Sequence, residues 1–218
     1  MKLSERTLRV HQYWLEKGIP ENYLNVSDNR SEYLVKLVQE HMDTSASFLE
    51  IGCNVGRNLN GLFQSGYKNL AGIEIQPKAI TLMKKAYSEM ARSTQIWIVP
   101  IEEVIKDFKD NSFDLVFTMA TLMHIHYDSN FIFAEVARIT RRFLILTERE
   151  GPVRKKQTLV KSFPRFYRPI FEKFGMVQIY EERIKREKGI LYGPKKKGKV
   201  ANFWTRIFEK REKKEGLY

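Results

Sequence analysis

A single cysteine, Cys53, excludes an intramolecular disulfide framework and suits a reducing compartment. The chain is also poor in histidine, with His11, His41, His124 and His126 scattered along it, so no metal-ligand cluster is legible. No run of residues approaches the roughly 20 consecutive apolar positions that a membrane helix needs. Met1–Trp14 is polar and charged and lacks an apolar core segment, so no signal peptide is expected and a cytoplasmic location is. In such a chain the sequon Asn25-Val26-Ser27 carries no meaning. Internal repeats are absent too, which excludes solenoids and propellers.

What is present is charge, unevenly placed. The net charge is +12. Residues 1–140 carry 15 Lys/Arg against 17 Asp/Glu, whereas residues 141–218 carry 23 against 9. A near-neutral front and a strongly basic last third point to an anionic partner for the latter, or to lysines that serve solubility alone. It holds two basic groups, Arg154, Lys155, Lys156, Lys161, Arg165 and Arg168, then Lys195–Lys197 and Lys199. Phe163, Phe166 and Tyr167 interleave with the first group, a pattern that suits nucleic acid or a phosphorylated small molecule. No RNA-binding module is legible.

A chain of 218 residues is read most simply as one α/β domain with a sizeable core. Apolar spacing predicts helices over 3–17 and 31–41, with Gly18 and Pro20 breaking the first. Strands are expected at 47–52, 69–75, 95–99, 113–119 and 143–147, with helices at 57–66, 78–92 and 129–140 between them and a short helix or turn at 102–108. Strands alternating with helices imply a parallel sheet with right-handed crossovers. Beyond Thr147 the pattern loosens into a helix over 163–174 and strands at 176–184 and 200–210, followed by a frayed tail.

The chemistry concentrates at Glu50-Ile51-Gly52-Cys53-Asn54-Val55-Gly56, a glycine-bearing turn between a short buried strand and a helix. Glycine tolerates positive φ there, and the helix start suits an anionic group. Glu74 closes the next strand 22 residues after Gly52, the spacing at which a carboxylate caps a ribose diol. Asn54 stands where a dinucleotide fingerprint has its middle glycine, which disfavours a pyrophosphate and hence a nicotinamide-dependent oxidoreductase.

FLEIGCNVGRNLNGL, LAGIEIQPKAI and NSFDLVFTMATLMHI resemble, in this order, three motifs of the class I S-adenosylmethionine (SAM)-dependent methyltransferases, over roughly Ser47–Thr147. The resemblance implies a Rossmann-like three-layer α/β/α sandwich. Its sheet would have seven mostly parallel strands and an antiparallel C-terminal hairpin. Residues 1–45 would form a helical cap over the cofactor and residues 46–218 the methyltransferase domain, within one globular unit. It places the methionine part of SAM on Glu50, Gly52, Asn54 and Gly56, and the ribose on Glu74 with Ile75 beside it. Pro100 occupies the position where the family often has an adenine-binding acid, so that contact passes to the Ile101 backbone and the Glu102 side chain. Met119 and Ala120 would line the methyl-transfer centre. Tyr13, Trp14 and Tyr23 are candidates for aromatic faces against the sulfonium or substrate, and Arg30 for the SAM carboxylate.

Methyl transfer needs positioning above all, and a base only where the acceptor must lose a proton. His124, His126 and Glu148 are the candidates for that base; a packing role for either histidine is the alternative. TLMHIHYDS with RFLILTEREGP is similar to methyltransferases of bacterial sugar and glycan pathways. The expected acceptor is therefore a small, anionic or glycan-type molecule, with RNA methylation or RNA binding as the alternative.

Overall fold

The computed structural model describes residues 2–24, 29–152, 162–184 and 203–211. Asn25–Ser27, Arg154, Lys155, Lys156, Lys161, the 195–199 lysines and the tail after Arg211 therefore lie outside the described residues.

Among the described residues seven strands form one sheet: β1 (Phe48–Ile51), β2 (Leu70–Ile73), β3 (Gln95–Trp97), β4 (Phe113–Met119), β5 (Thr140–Arg149), β6 (Met176–Arg183) and β7 (Phe203–Lys210). Their order is β3-β2-β1-β4-β5-β7-β6. The first five run parallel, and β7 is antiparallel to both β5 and β6. This is the expected Rossmann-like sandwich with its closing hairpin. Chain order reverses between β1 and β4, so the two loops leaving those strands diverge and open a crevice at the carboxyl edge. In β6 the register shifts between Gln178 and Tyr180, leaving Ile179 outside the ladder.

Helices α2 (Asn29–Gln39), α3 (Arg57–Gln64), α4 (Pro77–Ala86) and α5 (Ser88–Ser93) belong to one side of the sequence's core pattern. Leu34, Leu59, Leu62, Met83 and Met90 bury there against Phe48, Phe117, Ile145 and Ile207. The other side takes α6 (Ile101–Val104), α7 (Phe131–Ile139) and α8 (Tyr167–Lys173), with Ile132, Phe133, Val136 and Phe171 against Leu49, Val116, Leu144 and Phe208. Strands covered on both faces need apolar residues at successive positions, which is what Leu115-Val116-Phe117 supplies. The single helix expected at 78–92 is two, parted at Tyr87 where φ is −131° and ψ 54°. β5 begins three residues earlier than expected, since Arg141 and Arg142 extend the strand with side chains in solvent.

The remaining helix, α1 (Glu5–Lys17), crosses the carboxyl edge and is fastened at both ends. Ser4 caps it through the Thr7 N–H at 3.2 Å and also donates to Asp128 at 2.7 Å. At its far end the Gln76 amide donates to the carbonyls of Trp14 (3.0 Å) and Gly18 (3.1 Å). Among the described residues no helix is long and apolar enough to cross a membrane.

Candidate functional site

Beneath α1 lies a cleft of about 470 Å³. It runs along the strand ends from Val99 past Glu74, Glu50 and Met119 to Arg149 and Phe203, with His11, Trp14 and Tyr23 from the N-terminal segment over it.

The turn after β1 is built by backbone chemistry. Gly52 has φ +76°, and a Cβ there would lie 2.3 Å from the Thr121 hydroxyl. Its N–H and that of Cys53 both donate to the Ile73 carbonyl, at 2.8 and 3.0 Å. Asn54 takes φ +49°, which asparagine accepts more readily than most side chains. That tolerance explains how asparagine replaces a glycine without loss of the turn. Gly56, at φ +74°, is a packing glycine: a Cβ would lie 2.8 Å from Met83, and the residue does not line the cleft.

Three carboxylates serve three different purposes. Glu74 is buried, and its oxygens accept the N–H groups of Asn54 and Gln76, each at 2.9 Å. It thus ties the glycine turn to the start of α4 while facing the cleft, and burial raises its pKa. Glu50 is fixed by a relay in which Ser31 donates to Asn58 (3.0 Å) and Asn58 to one Glu50 oxygen (2.7 Å). The other Glu50 oxygen is buried with no hydrogen-bond partner among the described residues, as are Nε and Nη1 of neighbouring Arg57. Burial pushes the Glu50 carboxyl up to about 8, against the opposing pull of Asn58 and Arg57. Glu148 is 0 % exposed and does not line the cleft. It accepts the Thr118 hydroxyl at 2.7 Å and the N–H groups of Thr121, Leu122 and Met123 at 2.9 to 3.1 Å.

The raised Glu50 pKa fixes the sign of a pH effect. Below pH 4.5 the carboxyl is protonated whether the chain is folded or not. Between that value and about 8 the folded chain holds a proton that the unfolded chain gives up, so stability falls as pH rises through this window. The contribution is at most about 5 kcal/mol. The ligand-free protein should therefore melt lower at pH 8.5 than at pH 5. Glu50→Gln should flatten that slope, as thermal scans across pH will read; an equal slope in the variant would refute the assignment.

Several expected site residues stand elsewhere. His126 is not in the cleft; its Nδ1 accepts the Asp128 N–H at 3.1 Å, capping the turn Tyr127–Ser129, and burial lowers its pKa. Arg30 is buried at the start of α2 and is also absent from the lining. Tyr13 packs on Trp14 with ring centroids 5.3 Å apart, outside the lining. Glu50, Gly52, Asn54, Glu74, Ile75, Ile101, Glu102, Met119, Ala120, Tyr23, Trp14 and His124 are brought together around the cleft.

The sequence reading missed two contacts. His11 approaches Glu102 at 3.2 Å, in a geometry that is not a hydrogen bond, and the Trp14 ring lies against His124 with centroids 4.4 Å apart. His11 and Trp14 sit three apart on α1, so one helix face presents both. That spacing was the available signal. Ala120 adds strain at the rim: φ is +56°, a conformation costing a β-carbon-bearing residue roughly 1–2 kcal/mol. Among the described residues no group of His, Cys, Asp and Glu is arranged to hold a metal ion.

Residues 49–143 match the family described as a methyltransferase domain. No curated protein matches the chain. Among solved structures the chain is similar to magnesium protoporphyrin IX methyltransferase from Synechocystis PCC 6803 with bound SAM, at 15% identity and TM-score 0.65, covering 95% of this chain and 97% of that one. It is similar also to geranyl diphosphate C-methyltransferase from Streptomyces coelicolor A3(2), at 7% identity and TM-score 0.70, covering 97% and 100%. The [4+2]-cyclase SpnF shares the fold at 14% identity and TM-score 0.64, covering 82% and 80%. At such identities the likeness is one of fold.

Proposed function

We propose that this chain, a class I SAM-dependent methyltransferase, seats its cofactor along the strand ends under α1 and methylates a small anionic acceptor. The observation that carries the cofactor placement is the charge pattern of the cleft. A buried Glu50 oxygen and the Nε and Nη1 of Arg57 lack hydrogen-bond partners among the described residues at one point, and the Glu74 carboxylate stands at the next strand end. A zwitterionic amino-acid head joined to a ribose matches that pattern: Glu50 takes the ammonium, Arg57 the carboxylate and Glu74 the hydroxyls. Arg57 thus replaces Arg30 as the carboxylate's partner. Ile75, Ile101 and Glu102 border the adenine, with Glu102 braced from above by His11.

Bound SAM supplies an electrophilic methyl group on a sulfonium. The protein's part is to orient it toward Met119 and Ala120 and to keep water away beneath Trp14 and Tyr23. His124 is the one candidate base that borders the cleft; Glu148 and His126 are spent on holding loops. A cytoplasmic location agrees with the reading. RNA as the acceptor is the second reading, favoured by the charge of residues 141–218.

The deciding experiment is a melting scan with SAM, S-adenosylhomocysteine and NAD. A ligand at 100 times its Kd adds about 2.7 kcal/mol, worth roughly 5–10 °C for a chain of this size. SAM and S-adenosylhomocysteine should each give that shift and NAD none; a shift with NAD alone would reverse the assignment. Methyl label from SAM entering RNA rather than small molecules of a cell extract would select the second reading of the acceptor.

A further inference from the structure

Along β5 the side chains alternate. Glu148 turns toward the 121–123 loop, whereas Thr147 meets Thr205 on the opposite face at 3.0 Å. Arg149, two positions on from Thr147, shares that second face. It lines the cleft with Glu50 and Met119, as does Phe203, its neighbour across the β5–β7 ladder. Two arginines close by in the fold are matched. Arg206 pairs with Glu150 at 2.7 Å and Glu181 at 2.6 Å, and Arg165 donates to Asn130 and to the Ile125 and Phe163 carbonyls. Beyond its backbone pairing with β7, the Arg149 side chain makes no hydrogen bond or ion pair with any described residue. A half-buried guanidinium facing a cleft without a counter-charge is a ready partner for an oxyanion.

Position decides which oxyanion. If adenine, ribose and methionine lie at the ends of β3, β2 and β1, the methyl group falls beside β4. The next strand ends in the row are β5 and β7. Resting on the cofactor reading above, we propose that Arg149 anchors a carboxylate or phosphate of the acceptor, with the Phe203 ring against the acceptor's apolar part. Held there, the acceptor's lone pair forms the new bond to the methyl carbon while the carbon–sulfur pair returns to sulfur. A proton, where the acceptor atom carries one, goes to His124 and from there to solvent. Arg149 touches the substrate and stays unchanged.

The test is calorimetry on protein saturated with S-adenosylhomocysteine, titrated with benzoate, phenyl phosphate and neutral benzamide. One of the two anions should bind and benzamide should not; which anion binds identifies the group. Arg149→Gln should weaken that binding at least tenfold, and Arg149→Lys by less, since an ammonium lacks the two-pronged geometry. Both variants should keep the wild-type melting temperature and bind S-adenosylhomocysteine within twofold. Equal anion binding in Arg149→Gln, equal binding of benzamide, or no binding of either anion would overturn the anchor. Failure of wild type to bind S-adenosylhomocysteine would instead undo the cofactor reading.

Discussion

Glu148→Ala should lower the melting temperature by about 10 °C or more. The alanine leaves one hydroxyl and three backbone N–H groups without an acceptor in a fully buried place. Orphaned buried donors cost about 1–3 kcal/mol each, with partial relief by relaxation, so about 3–5 kcal/mol is the expected loss. For a chain of this length each kcal/mol is worth roughly 2–4 °C. Glu148→Gln keeps one oxygen but turns an amide N–H group toward donors, so it should fall between alanine and wild type. Differential scanning of the three proteins reads this directly. A general base would behave the other way, with Glu148→Gln melting like wild type while turnover vanished. That outcome would return Glu148 to the catalytic list.

Glu74→Gln should cost about 100-fold in affinity for S-adenosylhomocysteine. Both Glu74 oxygens already accept one backbone N–H each, and each retains a second lone pair for a ribose hydroxyl. Losing two charge-assisted hydrogen bonds is worth about 3 kcal/mol. At a ligand concentration 100 times the wild-type Kd, the variant would then sit near its own Kd. The stabilisation would shrink from about 2.7 to about 0.4 kcal/mol, or roughly 1–2 °C. Titration calorimetry gives the affinities themselves. Affinity unchanged within a factor of three would sink the ribose assignment.

The parts of the site that were legible in the sequence are those that local rules dictate. The bend at 52–56 needs positive φ at Gly52, Asn54 and Gly56, and only Gly and Asn type residues stand there. Glu74 follows from a fixed strand–helix–strand spacing. What could not be read was direction. Leu144-Ile145-Leu146 is buried on both faces, so β5 shows no alternation from which to tell where Glu148 and Arg149 point. The carboxylate looked chemical and the arginine ordinary; the structure puts the first in the core and the second in the cleft. The contacts of His11 with Glu102 and of Trp14 with His124 were not visible, because they span more than 90 residues of chain and depend on where α1 is fastened. Arg57 opens a helix like many others until Glu50 is seen beside it.

An open sheet has two rims of unpaired backbone, each an invitation to a strand from another molecule. Here β3 closes one rim with three residues, too few for a foreign strand to gain much ladder. Among the described residues the other rim belongs to β6, where Ile179 breaks step and Glu181, Glu182 and Arg183 follow. A bulge twists a strand, and charge on it repels a stranger's apolar edge. The fold thus guards itself against stacking into fibrils with the same short strand and single misregistered residue that finish its sheet.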